Sequence, residues 1–575
     1  VQMNASAVMQ NSIVWGNRIA NSVNPKLEEL NASSDYFLSC HDNCLPRDFG
    51  QNALVADPGF VDAANGDYRL LPGSPCAELG YGCYPFDFDA LQVGLDDVND
   101  KTLLAGELTF AAHASGGRGA KTFSWKLDDL VAGTEGTWTA GTAAFTQTFA
   151  AGHYRLSVKV EDEVTSVSFA REFYVGVTDT VYVVPAGTAG NVPTVPYASE
   201  ATAANDVNEA IRYCAEGGEM VVADGFYGVT REFCIPRGVT VRSVNGPEKT
   251  WIYRDGPYKS GASFRVAHVA DADATFAGFC VSNGYWSTTE QRMGTGILNE
   301  GGTVSNCWVV KCWAQVGQYS SPMIANMNGL VADCKVFDCY GCGAYGGGAY
   351  QLGADAVMRD TEIWGMTAPN GYSYGSGMGM ALHGGLGERL YIHDNYNAYG
   401  FGGGGGAGLK MQDAELRNSL IVRNQAGGNG GGGVNANNNS VIVNCTIADN
   451  DSGQNSSTGL GGGLLIGNGS KVTVVNTVFS GNTVMNISPA ATDPDWYSLN
   501  AANATFVNCV FSHEGAKTGE GAVVTDNPRF VDAANGDYTL GIGSTLVDAG
   551  APWDWTEDDV DFGGDKRVQG PAVDV

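Results

Sequence analysis

Short runs of alternating hydrophobic and polar positions recur along this chain. The heptapeptide Asn306–Cys312 returns at Asp333–Cys339, Asp360–Met366, Arg389–Asn395, Asn418–Asn424, Asn444–Asn450, Asn476–Asn482 and Asn508–Glu514, with a weaker copy at Ala277. Within each copy a small residue, an outward one, a β-branched or aromatic one and a second outward one alternate. That is the period of a strand with one buried face. Successive copies begin 26 to 32 residues apart. Glycine clusters at 346–348, 404–406, 431–433 and 461–463 open a second strand ahead of several copies. One coil of a right-handed parallel β-helix needs about this many residues, and its coils stack about 4.8 Å apart. Asparagines at the two ends of the heptad are expected to stack as amide ladders, and glycines to make the sharp turns.

A longer repeat overlies the short one. Phe60–Tyr68 recurs identically at Phe530–Tyr538, an offset of 470 residues, and Pro58 matches Pro528. Asn11–Asn17 is a further coil heptad. Residues 1–88 therefore read as the C-terminal coils and cap of a preceding β-helix, and 181–575 as a whole one. A capping helix is expected near 202–214. Residues 90–178 differ in texture: Phe123–Leu127 and Gly152–Asp162 alternate strictly, as the strands of a β-sandwich do. The predicted fold class is all-β: a right-handed parallel β-helix solenoid plus an immunoglobulin-like β-sandwich. The chain begins at Val1 within a folded pattern and is expected to be an excerpt of a longer, processed protein.

The Gly-Gly-x-hydrophobic and Phe-x-x-Asn elements, cleanest at Phe479–Asn482, resemble repeats of bacterial polymorphic outer-membrane proteins. Val181–Gly187, Pro196–Ala198, the 202–211 segment, Gly217–Tyr227 and Val239–Gly246 resemble the entry to a secreted, pectate-lyase-like β-helix. That resemblance covers 181–575. It implies the fold, and with it an outer face on which related enzymes carry Lys, Arg, Asp or His. No family's catalytic motif matches. The Gly-x-Tyr strand at 152–162, ending in an acidic pair, resembles a polycystic-kidney-disease-type immunoglobulin-like domain.

Composition narrows the function classes. With 32 Lys+Arg against 62 Asp+Glu the net charge is −30. That argues against a nucleic-acid binder, which needs a basic face, and against docking on an anionic membrane. No apolar run reaches 18 residues, so no helical transmembrane segment is expected. Glycine makes up 80 of 575 residues, about twice the usual share of about 7 %. The acidic, lysine-poor, Gly/Asn-rich composition suggests an extracellular or cell-surface protein.

Candidate chemistry is sparse. Cys307, Cys334, Cys445 and Cys509 occupy an inward position, and Cys312 and Cys339 share the last one, as small buried thiols would. Cys40, Cys44, Cys76 and Cys83 lie off this ladder and suit one or two disulfides in a secreted cap better than an isolated zinc spacing. Asp57, Asp62, Asp67 and the acidic tail with Asp554, Glu557, Asp558, Asp559 and Asp561 offer oxygen ligands for calcium, Asp62, Asp67, Asp558 and Asp561 being the candidates. A solvated turn explains them more simply. Gly402–Gly406 is no phosphate loop, since no lysine follows it in the required pattern. One outward face stands out. Trp308, Lys335, Glu362 and Tyr391 form one column, with Phe337, Trp364 and His393 beside it. Aromatic rows with polar neighbours suit sugar binding. Tyr345, Tyr350, Tyr372, Tyr374, Tyr396 and Tyr399 are placed near it, and His383, Arg389 and Lys410 lie close by coil count.

Two readings follow. The favoured one is an extracellular structural protein or adhesin, a stalk or fibre of alternating β-helix and immunoglobulin-like modules. Its partners would be glycans, a host or neighbouring cell surface, or further copies of the 470-residue unit. The alternative is a carbohydrate-active enzyme, a polysaccharide lyase or glycosidase, or a non-catalytic glycan-binding protein. Its substrate-binding residues would be Trp308, Phe337, Trp364 and Tyr391. As an enzyme it would use Glu362 or His393 for proton transfer and Lys335 to stabilise charge.

Overall fold

A computed structural model describes residues 90–575 apart from short segments near 97–101, 287–292, 315–321, 342–345, 368–376, 398–405, 428–429, 454–458, 486–492 and 500–503 and a few single positions, and before residue 90 only 9–10, 40–41, 56–62, 67–70 and 74–78. The chain forms two compact units, Val1–Met220 and Val221–Val575.

In the first unit, the strands Ala144–Phe149, Gly106–Ser115 and Gln92–Leu95 form one sheet. Thr102–Leu103, Ser166–Val175, Gly152–Glu161, Thr122–Asp129 and Thr139–Gly141 form another. Apart from the parallel edge pair Thr102–Leu103 with Ser166–Val175, the pairings are antiparallel. Alternate residues of both sheets enter one core of Phe110, Trp125, Leu156, Val158 and Phe173. Between 202 and 214 there is a single α-helical turn, Val207–Ala210, whose first amides are capped by the Asp206 carboxylate.

The second unit is a parallel β-solenoid. Its first sheet runs from Thr240–Ser243 to Ala504–Val507. The second has twelve strands, from Gly225–Val229 to Val523–Val524, and includes the central three residues of each heptad from Asn306 to Asn482 and Val510–Phe511 of the last. The third has ten, from Phe233–Ile235 to Trp496–Ser498. In the second sheet the middle residues pair coil on coil, as Val309, Val336, Ile363, Ile392, Ile421 and Ile447. All are fully buried. Cys307, Cys312, Cys334, Cys339, Cys445 and Cys509 are buried free thiols. Burial pushes Cys445 and Cys509 up to about 12, so they are space-filling groups rather than nucleophiles.

The two ends of the heptad behave differently, which corrects the expectation of two ladders. Its first residue sits at a left-handed corner, with φ of 47° at Asn306, 55° at Asp333, 50° at Asp360 and 46° at Asn418. Asn and Asp tolerate this conformation best among residues that carry a Cβ. The sixth residue makes a second such corner, at Lys311, Asp338, Asp394, Arg423 and Asp449, with Gly365 and Gly481 in the same role. Only the seventh residue points inward to form the continuous amide ladder. Asn395 Nδ2 donates to Asn424 Oδ1 (3.0 Å), Asn424 to Asn450 (3.1 Å) and Asn450 to Asn482 (3.2 Å), all buried. At the first position one amide pair forms, Asn476 to Asn444 at 3.2 Å, and one ion pair, Arg389 to Asp360.

Those corner asparagines hold the C-terminal segment, which returns along the second sheet. Asn508, Asn476, Asn444 and Asn418 donate to the backbone carbonyls of Ala549, Ala551, Asp574 and Val560. Leu546 packs on Val478 and Val510. Tyr538 packs on Leu420, Val422 and Ala448, and its hydroxyl donates to Asp449 Oδ2 at 2.7 Å.

Candidate functional site

The flanking residues of the second-sheet strands point outward in two columns. One carries Trp308, Lys335, Glu362, Tyr391 and Leu420, and the other Val310, Phe337, Trp364, His393 and Val422, each in direct register. The structure thus brings together all seven residues singled out for binding or chemistry on this face. Phe337 and Trp364 stack with centroids 4.5 Å apart and planes 8° apart, and Trp364 stacks on His393 at 5.7 Å and 6°. Tyr391 lies against His393 at 3.9 Å. Trp308 meets Phe337 edge-on at 6.1 Å. The expected apolar floor takes a different form here. Rings stacked along the solenoid cover one another's faces and turn their edges outward, so Phe337 and Trp364 form a packing ladder and not an open sugar platform.

Ion pairs cross-link the same coils. Glu362 accepts from His393 Nε2 at 3.2 Å and pairs with Lys335 Nζ at 3.2 Å. The bond from His393, with support from Lys335, holds the Glu362 carboxyl below its ordinary range despite partial burial. His393 Nδ1 meets Asp394 Oδ2 at 2.6 Å. Arg423 bonds Asp394 at 2.8 Å and the Tyr391 hydroxyl at 3.2 Å. At the neighbouring corner Arg389 grips Asp360 with two bonds, of 2.6 and 2.9 Å. Burial opposes charge on Asp360, but the arginine outweighs it and the carboxyl sits low.

Beside the ladder lies an open groove of about 420 Å³. Its lining includes Asp333, Lys335, Asp360, Thr361, Glu362, Arg389, Tyr391 and Phe562. Phe562 comes from the returning C-terminal segment and meets Tyr391 edge-on at 6.0 Å. Asp333, Asp360, Phe562 and Arg423 were not among the residues picked from sequence. For the first two, a polar residue at the left-handed corner beside each outward strand was the available signal. Nothing local marks Phe562, which reaches the groove only through the chain's return.

Other candidates lie elsewhere. His383 and Lys410 belong to the third sheet, where burial pushes His383 down to about 3. Tyr350 is fully buried in that sheet, and Tyr396 joins a short separate ladder with Gln425. Tyr345, Tyr372, Tyr374 and Tyr399 fall outside the described residues, as do Glu557 and the side chains of Cys40, Cys44, Cys83, Asp62 and Asp67. Asp561 closes a turn by accepting the amides of Gly563 and Asp565, and Asp559 accepts from Thr556. Asp558 is exposed. Asp559 and Asp561 thus serve local turns.

No family model matches the chain, and no curated protein matches it. Among solved structures it is similar to the Dettilon tailspike protein, at 13 % identity and a TM-score of 0.31 over 61 % of this chain. It spans 60 % of that tailspike's length. It is also similar to the catalytic domain of a GH87 alpha-1,3-glucanase in complex with tetrasaccharides, at 12 % identity and a TM-score of 0.32, covering 73 % of this chain and 85 % of that one. With TM-scores near 0.3, the site is read from its own geometry. Among the described residues no helix is long and apolar enough to cross a membrane.

Proposed function

We propose that the second-sheet groove binds a glycan and does not cleave it, in a protein that works outside the cell. One observation carries this reading: a groove of about 420 Å³ in which Lys335, Asp333, Asp360, Glu362 and Arg389 lie beside the aromatic walls Tyr391 and Phe562. Its size falls in the range of roughly 300–1,000 Å³ of small-ligand sites. Charged side chains fixed on the strands (Lys335, Glu362) and at the corners beside them (Asp333, Asp360, Arg389) suit the hydroxyls of a sugar, and ring edges and faces suit its apolar patches. The same geometry argues against hydrolysis. A glycosidase needs one carboxyl raised so that it can donate a proton. Glu362 and Asp360 are both held low instead, the first mainly by the His393 hydrogen bond with Lys335 beside it, the second by Arg389. Glu362 has both oxygens engaged, by His393 and Lys335.

Retention on immobilised polysaccharides tests this reading. Tyr391→Ala should cut retention at least tenfold against a glycan that holds the parent chain. Trp364→Ala, which removes a rung of the ladder, should lower thermal stability and weaken retention less. Products with new reducing ends or unsaturated sugars would overturn the non-catalytic half of the proposal. Unchanged retention in Tyr391→Ala would overturn the site.

A second reading, the tandem surface protein, has its own support. The repeated segment folds the same way twice. Phe60 pairs with Leu70 and Asp62 with Asp67, with the same irregularity as Phe530 with Leu540 and Asp532 with Asp537. Ser74 Oγ donates to the Pro58 carbonyl just as Ser544 Oγ donates to that of Pro528. On this reading 1–88 closes a preceding solenoid, 90–178 is an immunoglobulin-like spacer, and 181–575 is the next solenoid, with 202–214 as its cap. Further copies of the Phe60–Tyr68 segment at the same offset in the parent gene are the expected result. A gene holding only the two copies seen here would remove the support for a repeating stalk.

A further inference from the structure

We infer that Glu232, Cys234 and His268 form a binding site for a zinc-class transition-metal ion on the outer face of the third sheet. Cys234 and His268 are the middle residues of Phe233–Ile235 and Ala267–Val269 and pair in direct register. Both point out of the solenoid, since their neighbours Phe233, Ile235, Ala267 and Val269 fill the core. Register alone therefore sets a thiol beside an imidazole. Glu232 lies two residues before Cys234, and the sulfur, the imidazole nitrogen and a carboxylate oxygen all fall within 4.8 Å of one another. His268 Nδ1 is 3.8 Å from Cys234 Sγ and 2.7 Å from Glu232 Oε1. Zinc–ligand bonds of about 2.0–2.3 Å require ligand atoms roughly 3.3–3.7 Å apart, so a small opening of the His268–Glu232 contact admits the ion.

An outer shell is close at hand. His268 Nε2 lies 3.3 Å from Glu300 Oε2 without an aligned hydrogen bond, and a small rotation of the ring would complete the carboxylate–histidine arrangement that orients a metal-binding imidazole. Arg265 Nε holds the other oxygen of Glu232 at 2.9 Å. A metal binds the thiolate form of cysteine, so metal uptake is accompanied by proton release. Thiolate and imidazole together select zinc and its neighbours over calcium or magnesium. Three protein ligands leave a fourth position for water or an exogenous ligand.

The probe is cobalt(II), followed by zinc competition, on the whole chain. Wild type should take up one ion with a thiolate-to-cobalt charge-transfer band in the near ultraviolet, and zinc should raise its melting temperature. Cys234→Ser should lose the band and at least a hundredfold in zinc affinity, with an unchanged metal-free melt. Glu300→Gln leaves the three ligands in place and should keep the band while losing 10- to 100-fold in affinity. It serves as the test if Cys234→Ser does not fold. A cobalt spectrum without the thiolate band would overturn the site. A band that survives Cys234→Ser would place the ion on other cysteines and overturn it equally. Wild-type affinity in Glu300→Gln would overturn the assigned outer shell.

Discussion

Asn424→Ala should cost about 4 kcal/mol, because several buried polar groups lose partners at once at about 1–3 kcal/mol each. Asn424 Nδ2 donates to the carbonyls of Ile392 and Val422 and to Asn450 Oδ1, at 2.9, 3.1 and 3.1 Å. Its Oδ1 accepts from both the amide and the side chain of Asn395. All of this lies in the interior, where Asn424 is fully buried, so the groups left behind are out of reach of bulk solvent. The position is mid-solenoid, and coils on either side depend on one another for their faces. Asn418→Ala, at the outer corner six residues earlier, removes one bond to the Val560 carbonyl and puts alanine at a left-handed φ of 46°, and should cost about 2 kcal/mol. Urea-unfolding midpoints of the two variants measure the contrast. A loss below about 1 kcal/mol for Asn424→Ala would mean that the ladder is ornamental and that the stacked backbone alone holds the coils.

That contrast marks where sequence reasoning reached and where it stopped. Alternation within the heptad placed Val309, Val336 and Ile363 inside and Trp308, Lys335 and Glu362 outside, because a strand has period two and one face was consistently apolar. It could not separate Asn418 from Asn424. Both are asparagines at heptad ends, one needed for a left-handed corner and the other for an inward amide, and composition is the same for each. Ring orientation was equally hidden. Column membership follows from register, whereas stacking of Phe337 on Trp364 follows from the spacing of coils, which leaves side chains of one column about one ring apart. The Glu232–Cys234–His268 cluster escaped because its strands precede the clear heptads, so their phase is unmarked. Phe562 and Tyr538 escaped for a different reason. Their partners, Tyr391 and Asp449, lie 171 and 89 residues away, and no periodicity announces that the chain will fold back.

Leu546→Asp should release that returning segment while leaving the coils beneath it folded. Leu546 is 1 % exposed against Val478 and Val510, and an unpaired carboxylate cannot stay there without a penalty of several kcal/mol. Detachment is the cheaper response. The segment is tied on by the four corner amides, the Tyr538–Asp449 bond and two small apolar clusters. The coils, in contrast, are joined by continuous parallel ladders along three sheets, so the two parts belong to different stability classes. Limited proteolysis should cut the variant between about residues 525 and 560 and spare the coils, while the circular dichroism of the β-structure persists. The uncovered strip of Leu420, Val422, Val478 and Val510 should bind a hydrophobic dye and favour self-association. Because Phe562 leaves with the segment, the groove beside Tyr391 loses a wall, and glycan retention should fall together with the appearance of cleavage. A single cooperative loss of all β-structure at Leu546→Asp would show instead that the segment is part of the solenoid's core. Retention unchanged after cleavage would remove Phe562 from the binding site and leave Tyr391 and the charged corner residues to hold the sugar alone.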